Sequence, residues 1–250
     1  MISFFRKFRQ NLLEQNRVTR YLAYAIGEIV LVVIGIMIAL YFNTQKQLRE
    51  AHEFELTMLQ EVYNTIEDNE QLFRMQLHRL EETDTAIHQF LEELEKPDPI
   101  EDSLYRYFDD IRASRFTYNR GSYDALKSVG LDKVSSDSLR GRLTSFFDGN
   151  ILRTEELIML VYERPMDEAQ RRTDKLYQGH VKKEPGGLTY MERVLKPGID
   201  WKDPEILNAV SLRSQAGRSA IARVNRLINE SKSLKEILEI ELGIPKSTEE

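Results

Sequence analysis

Residues 21–45 read YLAYAIGEIVLVVIGIMIALYFNTQ, twenty-five positions between Arg20 and Lys46 that hold a single charge, Glu28. As a helix, Tyr21 to Phe42 covers roughly 33 Å at 1.5 Å per residue, enough for a bilayer hydrocarbon core of about 30 Å. Tyr21 and Tyr24 at one end, and Tyr41 and Phe42 at the other, stand where interfacial aromatics collect. A core helix of a soluble protein rarely stays apolar on every face for this long. The stretch exceeds the apolar core of a cleavable signal peptide, and no A-x-A-like site follows it. The expectation is an uncleaved signal anchor over residues 21–43.

The flanks orient it. Arg6, Lys7, Arg9, Arg17 and Arg20 precede the span, whereas Lys46 and Arg49 follow it among Glu50, Glu53 and Glu55. The positive-inside rule then puts the N-terminus in the cytoplasm and residues 44–250 across the membrane, in the periplasm if the source is a diderm bacterium. Phe5, Phe8 and Leu12 fall at helical spacing with basic residues between them, so residues 1–20 read as an amphipathic segment on the cytoplasmic membrane surface.

Along the span, Tyr21, Ala25, Glu28, Val32, Gly35, Ala39 and Phe42 follow a 4-3 spacing, which gathers small residues and the one charge onto a single stripe. Small side chains let transmembrane helices approach, and a polar group beside them can hydrogen-bond across the contact. Ala25, Glu28, Gly35 and Ala39 are therefore candidates for packing against a second copy or a partner transmembrane helix. Two other readings of Glu28 stay open: a carboxyl protonated or snorkelled to the interface with little role, and an ion- or proton-coupling group.

The segments FFRKFRQNLLEQNRVTRYLAYAIGEIVLVVIGIMIAL (residues 4–40) and RGSYDALKSVGLDKVSSDSLRGRLTSFFD (residues 120–148) resemble an uncharacterised family of single-span, N-terminally anchored membrane proteins of Bacteroidota. The resemblance implies a bacterial envelope protein. It brings no activity and no catalytic residues.

Beyond the span, 30 basic and 39 acidic residues leave net −9 on a region with no obvious cationic cluster, which argues against nucleic acid as a partner. There is no cysteine, so disulfides, thiolate metal sites and a thiol nucleophile are excluded. Lys46 to Glu95 contains neither Pro nor Gly, and Leu59, Val62, Ile66, Phe73, Leu77, Leu80, Ile87, Leu91 and Leu94 recur at helical spacing, interrupted by Asn69 and Asp84. This is a long amphipathic helix stopped by Lys96-Pro97-Asp98-Pro99. Asp98 is expected to cap a helix reaching about Ile111, Ser122 one ending at Gly130, and Ser136 one ending near Gly149. Another is expected from Ile151, broken at Arg164-Pro165 and resuming to Tyr177. Residues 178–203, rich in Gly and Pro, read as irregular, and a last helix spans Pro204 to Leu242. No stretch alternates convincingly at period two. The expected fold is all-α: one transmembrane helix, then an up-and-down bundle with the first and last long helices as pillars. A coiled-coil stalk between protomers is the rival use of the first stripe.

Chemistry is sparse. His78 with Glu82 and His88 with Glu92 are i,i+4 pairs, while His52 and His180 stand apart, and no zinc-protease, phosphate-loop, nucleophile-elbow or EF-hand pattern occurs. No metal or other cofactor is implied. Arg112, Arg115 and Arg120, with Tyr118, Tyr123 and Lys127, surround a loop that leads into a helix N-terminus, an arrangement that could hold an anion. Local pairing with the domain's own carboxylates is the plainer use of these cations. The expected function is a membrane-anchored interaction, scaffold or sensor module without catalytic activity. The alternatives are a proton-coupled subunit using Glu28 or an enzyme with an unrecognised site.

Overall fold

The computed structural model describes residues 17–183, 187 and 189–244. The basic segment expected over residues 1–20 lies almost wholly outside the described residues. The chain divides into two compact units at the Leu56/Thr57 junction. One helix, α1 (Arg17–Leu94, 78 residues), runs through both. The division expected at residue 43 is thus a change of surface without any break in the backbone.

In the first unit α1 is exposed at every position from Tyr21 to Glu50. Its N-terminal part is long and apolar enough to cross a membrane, with a mean hydropathy of 2.5 over its best window and no part of that window buried.

Among its described residues the second unit is made of helices, one hairpin and the segments that join them. After α1 come α2 (Glu101–Asp109) and α3 (Gly121–Val129), then α4 (Asp137–Thr144), α5 (Leu152–Ile158) and α6 (Arg164–Thr173), and finally α7 (Pro204–Leu242). The all-α fold holds. Tyr63 donates to Glu239 and Lys235 pairs with Glu67 and Glu70, whereas Phe90 shares a cluster with Ile206 and Val210. Sequence therefore rises along α1 as it falls along α7, which makes them antiparallel pillars. Leu59, Val62, Ile66, Phe73, Leu80 and Ile87 are buried as the stripe predicts, but Leu91 is 38% exposed. A second cluster closes the other end, where Phe90, Tyr105 and Phe108 pack around Trp201 at ring distances of 5.1–5.7 Å. Burying each such ring contributes roughly 1.5–3 kcal/mol.

The boundaries follow local chemistry. Asp203 accepts from the Glu205 N–H at 2.7 Å, Pro204 fills the first turn, and Gly243 ends α7 in the left-handed region at φ 66°. Ser136 caps α4 as expected, accepting from Leu139 N–H. Asp98 does not cap α2. The chain folds back on the end of α1, and Glu93 Oε1 accepts the Ile100 N–H at 2.9 Å instead. Nor does Ser122 cap α3: Asn119 Oδ1 accepts the Gly121 N–H, and the Ser122 hydroxyl bonds to Thr65 at 2.6 Å.

Two further expectations fail for physical reasons. Helix does not end near Gly149 or break at Pro165, because α4, α5 and α6 are joined by π-helical turns at Ser145–Ile151 and Met159–Glu163. Each wide turn alters the hydrogen-bond register, and Pro165 falls just after the second, in the first turn of α6, where a missing N–H costs little. Residues 178–203 are not wholly irregular: β1 (Tyr177–Lys183) and β2 (Thr189–Leu195) form an antiparallel hairpin with Val181 opposite Met191. Its outer half is exposed to solvent, so it needs no apolar alternation and offered none to read.

Candidate functional site: an extended strap between helices

Between α2 and α3 the chain crosses the domain as an extended strap, residues 112–120. Its exposure alternates: Ala113, Arg115, Thr117 and Asn119 are exposed, while Ser114, Phe116, Tyr118 and Arg120 are partly covered. The period of two is that of a β-strand, yet among the described residues no strand pairs with it. Its backbone groups must find other partners, and helix side chains supply them.

On the α1 side three residues spaced seven apart, Asn69, Gln76 and Thr83, share one helix face. Thr83 donates to the Arg112 carbonyl at 2.9 Å and Gln76 Nε2 to the Thr117 carbonyl at 2.8 Å. Asn69 makes a closed pair with Asn119, donating to its carbonyl and accepting its N–H, both at 2.6 Å. Fourteen residues of helix advance about 21 Å and seven extended residues about 23 Å, so the two rows match in length. On the far side the second π turn presents Tyr162, whose oxygen accepts the Ser114 N–H at 3.1 Å, and Glu163, which accepts the Phe116 N–H at 3.1 Å. Phe116 stacks on Phe73 at 5.6 Å. The strap is held as a bound peptide would be, by its backbone.

The first π turn fixes the strap's C-terminal end. It projects Asp148 to receive Arg120 (2.8 Å), the Tyr123 hydroxyl (2.7 Å) and Lys127 (2.6 Å). Burial pushes the Asp148 carboxyl up, but these three hydrogen bonds together hold it below its ordinary value. Arg120 also chelates Asp124. Tyr118, partly covered and donating to Glu155, is pushed up to about 12.

The six residues singled out from sequence, four in the strap and two in α3, are not gathered around one point. Arg115 and Arg120 fall on opposite sides of the strap by alternation. Arg112 pairs with Asp109, and Arg120, Tyr123 and Lys127 converge on Asp148, the domain's own anion. His78 faces Glu82 at 3.2 Å, whereas His88 turns to Asp84, not Glu92. An open cleft of about 720 Å³ is lined by this part of α1 and by Asp110, Arg112, Ala113 and Ser114, with cations and carboxylates alike on its walls. Among the described residues no group of three or more His, Asp or Glu side chains is placed to hold a metal. In the span, Ala25, Glu28, Gly35 and Ala39 are all exposed on α1, and a Cβ added at Gly35 meets nothing within 4 Å.

Asn69, Gln76, Thr83 and Asp148 were not recognised from the sequence as contact residues. The signal was present in the seven-residue spacing of three polar positions on the buried face of an amphipathic helix and in the alternation of Ser114, Phe116 and Tyr118. No family model, curated protein or solved structure matches the chain.

Proposed function

We propose that the chain is a single-pass, membrane-anchored interaction module, a scaffold or sensor whose helical domain stands in the periplasm of a bacterium while its N-terminus stays in the cytoplasm. The observation that carries this reading is the surface of α1 from Tyr21 to Phe42. These residues are apolar save for Glu28, and all are exposed with no protein packed on them. Water is an unfavourable neighbour for such a surface, and lipid is the natural one. The basic lead and the likeness of residues 4–40 to the Bacteroidota family support the orientation and the envelope location. On this reading the domain contributes binding rather than catalysis: its polar side chains at the strap are spent on the protein's own backbone, and Arg112, Arg120 and Lys127 on its own carboxylates.

The span also provides a contact. The stripe through Ala25, Glu28, Gly35 and Ala39 is the face for a second copy or a partner transmembrane helix, with Glu28 neutral or hydrogen-bonded in the interface. Two experiments test the proposal. Alkaline phosphatase fused after Glu250 should be active, and activity confined to a cytoplasm-active reporter at that position would reverse the topology. Single-Cys variants in this cysteine-free chain should crosslink at positions 25, 28, 32, 35 and 39 but not at 26, 30, 33 and 37. Uniform crosslinking, or none, removes the stripe.

A further inference from the structure

Arg213, on the buried face of α7, is 1% exposed and heads the largest side chains sealed in the core. Its Nη2 donates to Gln170 Oε1 at 3.1 Å and to Thr173 Oγ1 at 3.2 Å, both neutral acceptors. Its Nε and Nη1 have no hydrogen-bond partner among the described residues. Among the described residues no carboxylate lies within ion-pair reach of it. Asp174, whose charge is felt at Arg213, is already bonded to Arg193 and to Gln170 Nε2. Aromatic groups complete the surroundings: the Phe108 ring lies 5.5 Å from the guanidinium, and the buried phenols of Tyr162 and Tyr177 are within its field. Tyr162 accepts the Ser114 N–H and so keeps its own O–H as a donor.

A guanidinium stays protonated even where burial disfavours its charge. A buried charge stripped of its partner costs several kcal/mol in other proteins, so selection for a stable core would replace it with an apolar side chain unless something neutralises it. Water can accept its hydrogen bonds but cannot offset its charge. We propose that Arg213 is the anchor of an internal anion site that takes one compact inorganic anion of the halide class, chloride above all, on one of its two unpaired donors, Nε or Nη1. Compactness follows from the burial: with the residue only 1% exposed, a polyatomic ligand has no way in without unpacking the core. The site does not depend on the membrane reading.

The test uses the full-length protein in detergent, melted while chloride replaces gluconate at constant ionic strength. Wild type should gain a saturable shift on the order of 5 °C at chloride about a hundredfold above Kd. Arg213→Met keeps the apolar stem and removes the charge, so its melting temperature should not respond. A wild type that ignores chloride, or a variant that responds equally, overturns the proposal. Crystals of the wild type soaked in bromide give a reading that needs no variant. An anomalous peak within hydrogen-bonding distance of Arg213 Nε or Nη1 is expected, and peaks confined to exposed cations, or none, overturn it.

Discussion

Asn69 occupies a core position in a stripe of Leu, Val and Ile, is fully buried, and holds both backbone groups of Asn119. Replacing it by Ala strands an N–H and a carbonyl as well as opening a small void. Each stranded group costs about 1–3 kcal/mol, so Asn69→Ala should destabilise the domain by about 3 kcal/mol. Denaturant unfolding should show the loss, and hydrogen exchange should show the Asn119 amide opening before the rest of the core. Asp148 is the second decisive residue. Its carboxyl is held below its ordinary value, so its contacts stabilise fully above the unfolded carboxylate pKa of about 4 and fade as pH falls through the lower folded value. Asp148→Asn should therefore cost about 1–3 kcal/mol at neutral pH, and the gap from wild type should shrink toward zero in strong acid. A gap that persists unchanged at low pH assigns the effect to shape rather than charge. At this scale the sequence showed that Asn69 was anomalous and that Arg120, Tyr123 and Lys127 belonged together. It did not show that Asp148, distant in sequence, was what they shared.

At the scale of elements, legibility tracked burial. The two pillars were readable because each buries one stripe along its length, and α7 was bounded correctly by Asp203, Pro204 and Gly243. The strap was not, because its inward residues are a serine, a phenylalanine, a tyrosine and an arginine, too mixed to register as an apolar alternation. The π turns were invisible for a different cause. Proline and glycine forbid or weaken regular α-helix, but they say nothing against a helix whose register has already changed. Glycines show how much local geometry decides. Gly130 ends α3 at φ 117°, ψ 120°, a region closed to other residues, and an added Cβ would collide with the Asp132 side chain. Gly130→Ala should cost about 1–3 kcal/mol. Gly179 in β1 has only the mobile end of Met191 in the way, at 2.7 Å, so Gly179→Ala should be nearly neutral because that methyl swings aside. Thermal melts of the two variants side by side give the comparison, and equal costs would refute this account of both sites.

At the scale of the molecule, one uninterrupted helix carries both the apolar segment proposed as the membrane span and the core pillar. From Ile36 to Lys96 there is neither glycine nor proline, and α1 shows no break from Arg17 to Leu94. What changes along it is the surface: apolar and exposed first, charged and exposed next, then amphipathic with one buried stripe. Within the span, Gly35→Leu adds bulk where helices should approach most closely, so crosslinking at positions 28 and 32 should fall while the domain's melting temperature stays put. The central claim is that Tyr21–Phe42 crosses the bilayer with the domain outside. An engineered cysteine placed singly along residues 10–60, probed in intact cells with a membrane-impermeant maleimide, tests it most directly. The account predicts labelling in intact cells from about residue 46 onward, none across 24–40, and labelling of positions before residue 17 only after permeabilisation. Uniform labelling of 24–40 in intact cells, or the mirror-image pattern with the domain protected, would contradict it.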